Sequence, residues 1–205
     1  MKCIIITGPI GSGKTTVTRI VQEVLRQKGH AQCVLELDEL GAKSLDNHDV
    51  QEALVKEFGS EVARDGKVRR ATLARKAFVD AHSVEMLNAI THPAILREAQ
   101  RESALFAEEN PQGVLILETP FPGTYLRKIA SQDFLSESIS ISVEAPLEVR
   151  MDRSRGRFED ADVRAKLQEG YGPYVGDYRI ENNSSLTHLK ASVDKLMTQI
   201  LEGSI

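Results

Sequence analysis

Short, nearly continuous apolar runs recur along the chain and predict the buried strands of a parallel sheet. Strands that are covered on both faces have this character, because neither face has to alternate with polar residues. Four runs are strong and the last one is weaker: Lys2–Thr7, Gln32–Leu37, Gly113–Glu118, Ile139–Glu144 and Tyr178–Glu181. Together they predict a five-stranded parallel sheet.

Apolar residues at helical spacing fill most of the intervals between these strands. The clearest face precedes Gly29, a residue suited to a helix C-terminus, and consists of Val17, Ile20, Val21, Val24 and Leu25. Strands that alternate with helices predict an α/β, doubly wound fold.

One interval is far longer than the usual crossover between two strands. Residues 39–110 show helical spacing without a convincing strand, and we interpret them as a helical insertion that binds substrate. The single domain then has a core of residues 1–38, 111–149 and 171–205, and residues 150–170 are assigned to a lid.

Composition and charge narrow the class of protein. The 205 residues are 41% hydrophobic and 27% charged, which is typical of a globular protein and excludes a mainly disordered one. The net charge of -4 argues against a dedicated nucleic-acid binder, and no apolar run approaches the roughly 18 residues of a membrane span. Cys3 and Cys33 lie inside apolar runs, which predicts buried free thiols and a cytoplasmic protein.

Residues 8–15 carry the pattern of a phosphate-binding loop. The run Gly-Pro-Ile-Gly-Ser-Gly-Lys-Thr fits G-x-x-x-x-G-K-[ST] in full, and it follows a predicted strand and opens a predicted helix. Gly11 and Gly13 let the backbone turn so that its N–H groups converge on phosphate oxygens. Lys14 is expected to reach the β- and γ-phosphates, and the Thr15 hydroxyl to bind Mg²⁺. The sequence therefore predicts a nucleoside triphosphate site.

A second carboxylate for the magnesium is expected at the end of a neighbouring strand. Glu118 closes the third predicted strand and is the candidate. The alternative is that this carboxylate only caps the turn between strand and loop.

A phosphate-binding loop does not by itself distinguish kinases from GTPases and ATPase motors. The chain has no N-K-x-D motif, which disfavours a GTPase, whereas residues 150–157 contain four arginines in eight residues. Arg150, Arg153 and Arg157 recur at helical spacing, as expected of the arginine-rich lid with which a kinase excludes water from its phosphoryl group. The alternative is a solvated basic helix paired with the acidic residues that follow it.

Asp38 follows the second predicted strand and is the candidate general base. A carboxylate there can orient an attacking hydroxyl and accept its proton. The alternative is that Asp38 is the N-cap of the next helix.

Motifs in the insertion resemble those of the dephospho-coenzyme A kinase family. The spacing D-G-x-[hydrophobic]-x-R-x-x-L at residues 65–73, followed by H-P-x-I at residues 92–95, is specific to that family. Weaker matches follow in the correct order at residues 118–120, at Arg153 and Arg157, and at residues 164–168 and 178–183. The resemblance covers nearly the whole chain and implies a P-loop kinase fold with a helical insertion and a lid.

The resemblance also implies an activity and its residues. The family transfers the γ-phosphoryl group of ATP to the ribose 3′-hydroxyl of dephospho-coenzyme A, the last step of coenzyme A synthesis. Asp38 would be the base, Lys14, Arg153 and Arg157 would act on the phosphoryl group, and Arg70 and His92 would lie in the acceptor-binding insertion. ATP would be bound by Gly11, Ser12, Gly13, Lys14, Thr15 and Thr16. We expect small-molecule partners only, with neither nucleic acid nor membrane, and a monomer or weak homo-oligomer.

Three departures from the family motifs surround the expected acceptor site. The D-A-D motif reads Glu36-Leu37-Asp38, the arginine four residues after the base is Ala42, and the P-L-L-[FV]-E loop at residues 120–124 lacks its glutamate. These departures keep open a P-loop kinase for another nucleotide or small-metabolite hydroxyl, and a nucleotide-binding regulatory protein without catalysis. For His92, the alternative is a histidine that bonds the backbone at the start of a helix.

Overall fold

The structure is a computed structural model that describes residues 1–129, 135, 137–155, 165, 168 and 172–203. It divides into two compact units, Met1–Glu36 with Ser103–Ile205 and Leu37–Glu102. Among the described residues, no helix combines the length and the apolar character that a membrane span requires.

The first unit is built on a five-stranded parallel sheet. Its strands are β1 (Lys2–Thr7), β2 (Gln32–Glu36), β5 (Val114–Thr119), β6 (Ser138–Glu144) and β7 (Tyr178–Glu181), in the spatial order β2-β5-β1-β6-β7. All four pairings are parallel. The predicted sheet is thus confirmed, and no strand boundary differs from the prediction by more than one residue.

Helices α1 (Lys14–Gln27), α6 (Gly123–Ile129), α7 (Leu147–Arg155) and α8 (Leu186–Glu202) belong to the same unit. The predicted apolar face of α1 is buried in full, and Gly29 follows the helix with φ 76°, the left-handed conformation that ends many helices. The core packs this face against the sheet and α8 through Ile4, Ile6, Val17, Val21, Leu25, Ile116, Ile141, Leu189, Val193 and Met197.

The thiols differ in burial. Burial raises the pKa of the Cys3 thiol to about 12, although Arg127 acts in the opposite direction. Cys33 is only half-buried, so the prediction of burial is wrong for this residue. The reason is that Cys33 lies on β2 at the edge of the sheet, where a strand has one neighbour.

The second unit is mainly helical. It contains α2 (Leu37–Ser44), α3 (His48–Phe58), α4 (Arg70–Ala77) and most of α5 (Ala81–Glu109). Its own core consists of Val50, Leu54, Phe58, Val62, Leu73, Ala77 and Ala94.

A small antiparallel hairpin of β3 (Ala63–Arg64) and β4 (Lys67–Val68) corrects the expectation that residues 39–110 contain no strand. Asp65 and Gly66 form its turn with φ 52° and 71°, and two successive positive φ values suit a two-residue hairpin loop. Strands of two residues are too short to show an alternating pattern, which is why the sequence did not indicate them.

His92 and Pro93 lie inside α5, so the alternative that His92 marks the start of a helix is wrong. Proline lacks the N–H that would bond the Ala89 carbonyl, which normally disfavours a helix interior. Burial offsets this cost, because the helix buries Thr91, His92, Ala94, Ile95 and Leu96 around the proline.

Candidate active site

Two glycines let the phosphate-binding loop approach its neighbours more closely than any other residue would. Gly11 has φ 75°, and a Cβ atom there would lie 2.2 Å from the carbonyl oxygen of Arg150 in α7. Gly13 has φ 96°, and its Cβ would lie 2.1 Å from Nδ2 of Asn182. The sequence pattern explains these glycines by the turn that they allow. The structure adds a second explanation, which is close packing against Arg150 and Asn182.

Helix α1 begins directly after this loop, with Gly13 as its N-cap. A glycine cap has no side chain to bond the first amides of the helix, which leaves them for an anion. Lys14 Nζ donates to the carbonyl oxygens of Gly8 at 2.9 Å and Pro9 at 3.4 Å. The ammonium group therefore lies against the loop, at the end of α1 that favours negative charge.

Glu118 joins the end of β5 to the first two turns of α1. Its Oε1 accepts from the Thr15 hydroxyl at 2.7 Å, and its Oε2 accepts from the Thr18 hydroxyl at 2.8 Å. The residue is only 7% exposed. Among the residues that the structure describes, both carboxylate oxygens thus bond to α1 and not to the turn after β5.

The oxygen set of Thr15 and Glu118 fits Mg²⁺, which prefers hard oxygen ligands and is usually held by one or two carboxylates together with substrate phosphates. Sequence reasoning missed Thr18. A possible signal was its position three residues after Thr15, which places both hydroxyls on one face of the helix.

Arg153 in the last turn of α7 lies near the loop. Both of its terminal nitrogens donate to the carbonyl oxygen of Asn182 at 3.3 Å, and Asn182 Nδ2 donates to the carbonyl oxygen of Ser12 at 2.8 Å. The sequence places Asn182 in a family motif but predicts no role for it. The available signal was its place directly after a strand, at the carboxyl edge where α/β sheets bind ligands.

The structure describes some, but not all, of the remaining residues of the predicted loop and lid. Ser12 is buried, Thr16 is exposed, and the amide of Ile10 donates to Oε1 of Gln168 at 2.7 Å. Gln168 belongs to the R-x-x-x-Q match, so this part of the motif contacts the loop. Arg157 lies outside the described residues.

Asp38, Arg70 and His92 all belong to the second unit. Asp38 is exposed in the first turn of α2, which begins at Leu37, so it is not the N-cap of that helix. Arg70 begins α4, and its Nη2 donates to the carbonyl oxygen of Ala42 at 3.1 Å. A guanidinium group therefore lies beside the backbone of Ala42, at the position where the family motif has an arginine.

His92 is 8% exposed, and burial lowers its pKa to about 4. Its imidazole is therefore neutral near pH 7, where it can exchange hydrogen bonds but supplies no positive charge to a phosphate.

The loop after β5, which lacks the family glutamate, is held by hydrogen bonds from other residues of the first unit. The Tyr174 hydroxyl donates to the carbonyl oxygen of Pro120 at 2.6 Å, and the Thr7 hydroxyl donates to that of Phe121. The rings of Phe121 and Tyr125 lie 5.5 Å apart between centroids. Hydrogen bonds and an aromatic contact thus fix the backbone of the altered loop.

The chain is similar to known proteins over nearly its whole length. A model of the dephospho-CoA kinase family matches residues 2–187. The dephospho-CoA kinase of Corynebacterium glutamicum is 31% identical over 201 residues, which cover 95% of this chain and 97% of the relative.

Solved structures show the same fold. The dephospho-CoA kinase of Campylobacter jejuni superposes with a TM-score of 0.64 at 19% identity and covers 100% of both chains. A shikimate kinase of Acinetobacter baumannii superposes with a TM-score of 0.52 at 18% identity, over 100% of this chain and 96% of its own. The fold is that of P-loop kinases, and the extent of the family match shows that this chain belongs to the dephospho-CoA kinase family.

Proposed function

We propose that this chain transfers the γ-phosphoryl group of ATP to the ribose 3′-hydroxyl of dephospho-coenzyme A, giving coenzyme A and ADP. The observation that carries the proposal is the meeting of the phosphate-binding loop with Glu118, in a chain whose family match runs from residue 2 to 187. In the reaction, the 3′-oxygen bonds to the γ-phosphorus while the bond from that phosphorus to the β–γ bridging oxygen breaks.

At the nucleotide, we assign the triphosphate to Gly11, Ser12, Gly13, Lys14, Thr15 and Thr16. Lys14 would exchange its bonds with the Gly8 and Pro9 carbonyls for bonds with phosphate oxygens. Thr15 and Glu118 would hold Mg²⁺, which neutralises charge on the β- and γ-phosphates when it is bound. Arg153, and Arg157 beyond the described residues, would stabilise charge on the phosphoryl group, because planar guanidinium groups match phosphate oxygens.

At the acceptor, we assign proton abstraction to Asp38. Its exposure on α2 supports this role, because the base must reach a substrate hydroxyl. Arg70 is assigned to the acceptor's phosphates. His92, which is neutral near pH 7, is assigned to acceptor binding through a hydrogen bond or through shape.

The altered acceptor motifs favour one competing function, a kinase for another nucleotide or small-metabolite hydroxyl. ADP release measured with ATP, Mg²⁺ and a panel of acceptors separates the two. The panel contains dephospho-coenzyme A, adenosine, shikimate and gluconate, each tested at the same concentration. Turnover with dephospho-coenzyme A supports the proposal, and turnover with another acceptor alone would transfer the assignment to that acceptor.

The proposed partners are the small molecules ATP and dephospho-coenzyme A, and the proposed compartment is the cytoplasm. Neither Cys3 nor Cys33 forms a disulfide, which supports this compartment because cytoplasmic thiols are kept reduced.

A further inference from the structure

Asn182 makes three kinds of hydrogen bond to three parts of the first unit. Its backbone N–H donates to the carbonyl oxygen of Glu144 at 2.7 Å, at the end of β6. Its side-chain Nδ2 donates to the carbonyl oxygen of Ser12, and its own carbonyl oxygen accepts from Arg153. The residue is 8% exposed, so these bonds form largely out of water.

The bond to Ser12 fixes a peptide plane in the phosphate-binding loop. In a trans peptide, the carbonyl of one residue and the N–H of the next point in opposite directions. Nδ2 of Asn182 holds the Ser12 carbonyl, and so the N–H of Gly13 points away from the Asn182 side chain. A peptide that rotated away would withdraw one of the donors on which anion binding depends.

Gly13 supports this interpretation. The Cβ that any other residue would carry at position 13 would lie 2.1 Å from Asn182 Nδ2 and 4.0 Å from Arg153 Nη1. The amide of Asn182 therefore occupies the space of a side chain at position 13, and it leaves the loop little room to rotate.

We propose that Asn182 is a positioning residue for the nucleotide's phosphates. Its side chain holds the Ser12–Gly13 peptide in the orientation that presents the Gly13 N–H, and its backbone carbonyl holds the guanidinium of Arg153 beside the same loop. This role deepens the proposed function and rests on its nucleotide-binding part, because it concerns the nucleotide and not the acceptor.

The test compares Asn182→Asp and Asn182→Ala with the wild type in the binding of ADP and of AMP. The aspartate is nearly isosteric, but its carboxylate cannot donate to the Ser12 carbonyl, and the alanine removes the side chain. ADP affinity is expected to fall by about tenfold in both variants, the loss typical of one buried hydrogen bond. AMP affinity is expected to stay within about twofold, because AMP lacks the β-phosphate that the loop binds.

Asn183→Ala is the matched control. This neighbouring asparagine is exposed, and its Nδ2 contacts only Glu181 at 3.4 Å among the described residues. It should bind both nucleotides as the wild type does.

Asn182→Asp allows a second measurement, because its carboxyl group becomes a hydrogen-bond donor again when it is protonated. Burial at this position should raise the pKa of that carboxyl group, so the ADP affinity of Asn182→Asp, relative to that of Asn182→Ala, should recover as the pH is lowered from 8 to 5. Equal losses for ADP and AMP, or no loss, would overturn the proposal. Failure of both variants to fold would also overturn it, by giving Asn182 a purely structural role. Failure to phosphorylate dephospho-coenzyme A would not affect it, since ADP binding requires no acceptor.

Discussion

The hydroxyl of Thr15 donates to Oε1 of Glu118 over 2.7 Å, although 102 residues separate them in the sequence. The parallel sheet makes this contact possible, because β1 and β5 are aligned from Lys2 with Val114 to Thr7 with Thr119. Both strands therefore end at the same edge, where α1 begins. A hydroxyl from the helix and a carboxylate from the strand are the ligands expected of a magnesium site in a P-loop enzyme.

Glu118→Gln should abolish most activity while preserving the fold. The amide keeps the size of the side chain and one acceptor oxygen, but it removes the charge that would hold the metal. Loss of one such preorganised group typically costs about 10²–10³ in rate, and we expect the Mg²⁺ concentration for half-maximal rate to rise as well. Initial rates over a Mg²⁺ titration measure both effects.

Glu144→Gln is the control for this variant, because Glu144 ends strand β6 of the same sheet and its carboxylate pairs with Arg179 at 2.9 Å. It should leave the Mg²⁺ dependence unchanged. An unaltered Mg²⁺ dependence in Glu118→Gln would contradict the metal assignment.

Lys14→Ala should slow phosphoryl transfer by about 10²–10³, because it removes a cation placed to neutralise charge between the β- and γ-phosphates. Single-turnover measurements report this step directly. The melting temperature should change little, since Lys14 is not part of the apolar core. Near-wild-type transfer in a folded variant would remove the basis for the nucleotide site.

Asp38→Asn should reduce transfer by about 10²–10⁴ and leave ADP affinity unchanged, because it removes the proton acceptor and not the nucleotide site. Glu39→Gln is the matched control, since Glu39 is the other exposed carboxylate in the first turn of α2. A loss of less than about tenfold would exclude Asp38 as the base. Glu36, at the altered first position of the family motif, would then be the next candidate.

His92 should make the stability of the protein depend on pH. Burial lowers its pKa from 6.5 to about 4, so between these values the unfolded chain binds a proton that the folded chain does not. The free energy of unfolding should therefore fall as the pH is lowered through this range, by up to about 3 kcal/mol for this one group.

Urea unfolding of the wild type and of His92→Gln between pH 7 and pH 4 measures this contribution. The stability difference between the two proteins should shrink as the pH falls, because only the wild type has this histidine to protonate. His188→Gln, which alters an exposed histidine, should follow the wild-type curve. Parallel curves for His92→Gln and the wild type would contradict the prediction.

Local patterns predicted the sheet and the phosphate-binding loop well, because each strand and the loop carry their signal within a few consecutive residues. The contacts of Asn182 could not be predicted in this way. They join Ser12, Arg153 and Glu144, which come together only through the strand order of the sheet.

Two predictions from the sequence, for the helix around Pro93 and for the burial of Cys33, are wrong for other physical reasons. Proline usually marks the boundary of a helix, but at Pro93 the burial of its neighbours outweighs the lost hydrogen bond. Cys33 has apolar neighbours in sequence, yet the edge position of β2 leaves it half-buried, and edge positions are a property of strand order.

The strand order also determines when the protein can fold during its synthesis. β1 and β2 are made early, but both align with β5, and Ile4 and Val34 meet the same residue, Ile116. Until β5 leaves the ribosome, the apolar segment Cys3-Ile4-Ile5-Ile6 has no sheet to join, and exposed strands of this kind favour aggregation. The helical segment between β2 and β5 has its own core, from Val50 to Ala94, and can become compact before β5 is available. Formation of the sheet, and with it the contact between Thr15 and Glu118, must therefore wait until more than half of the chain has been made.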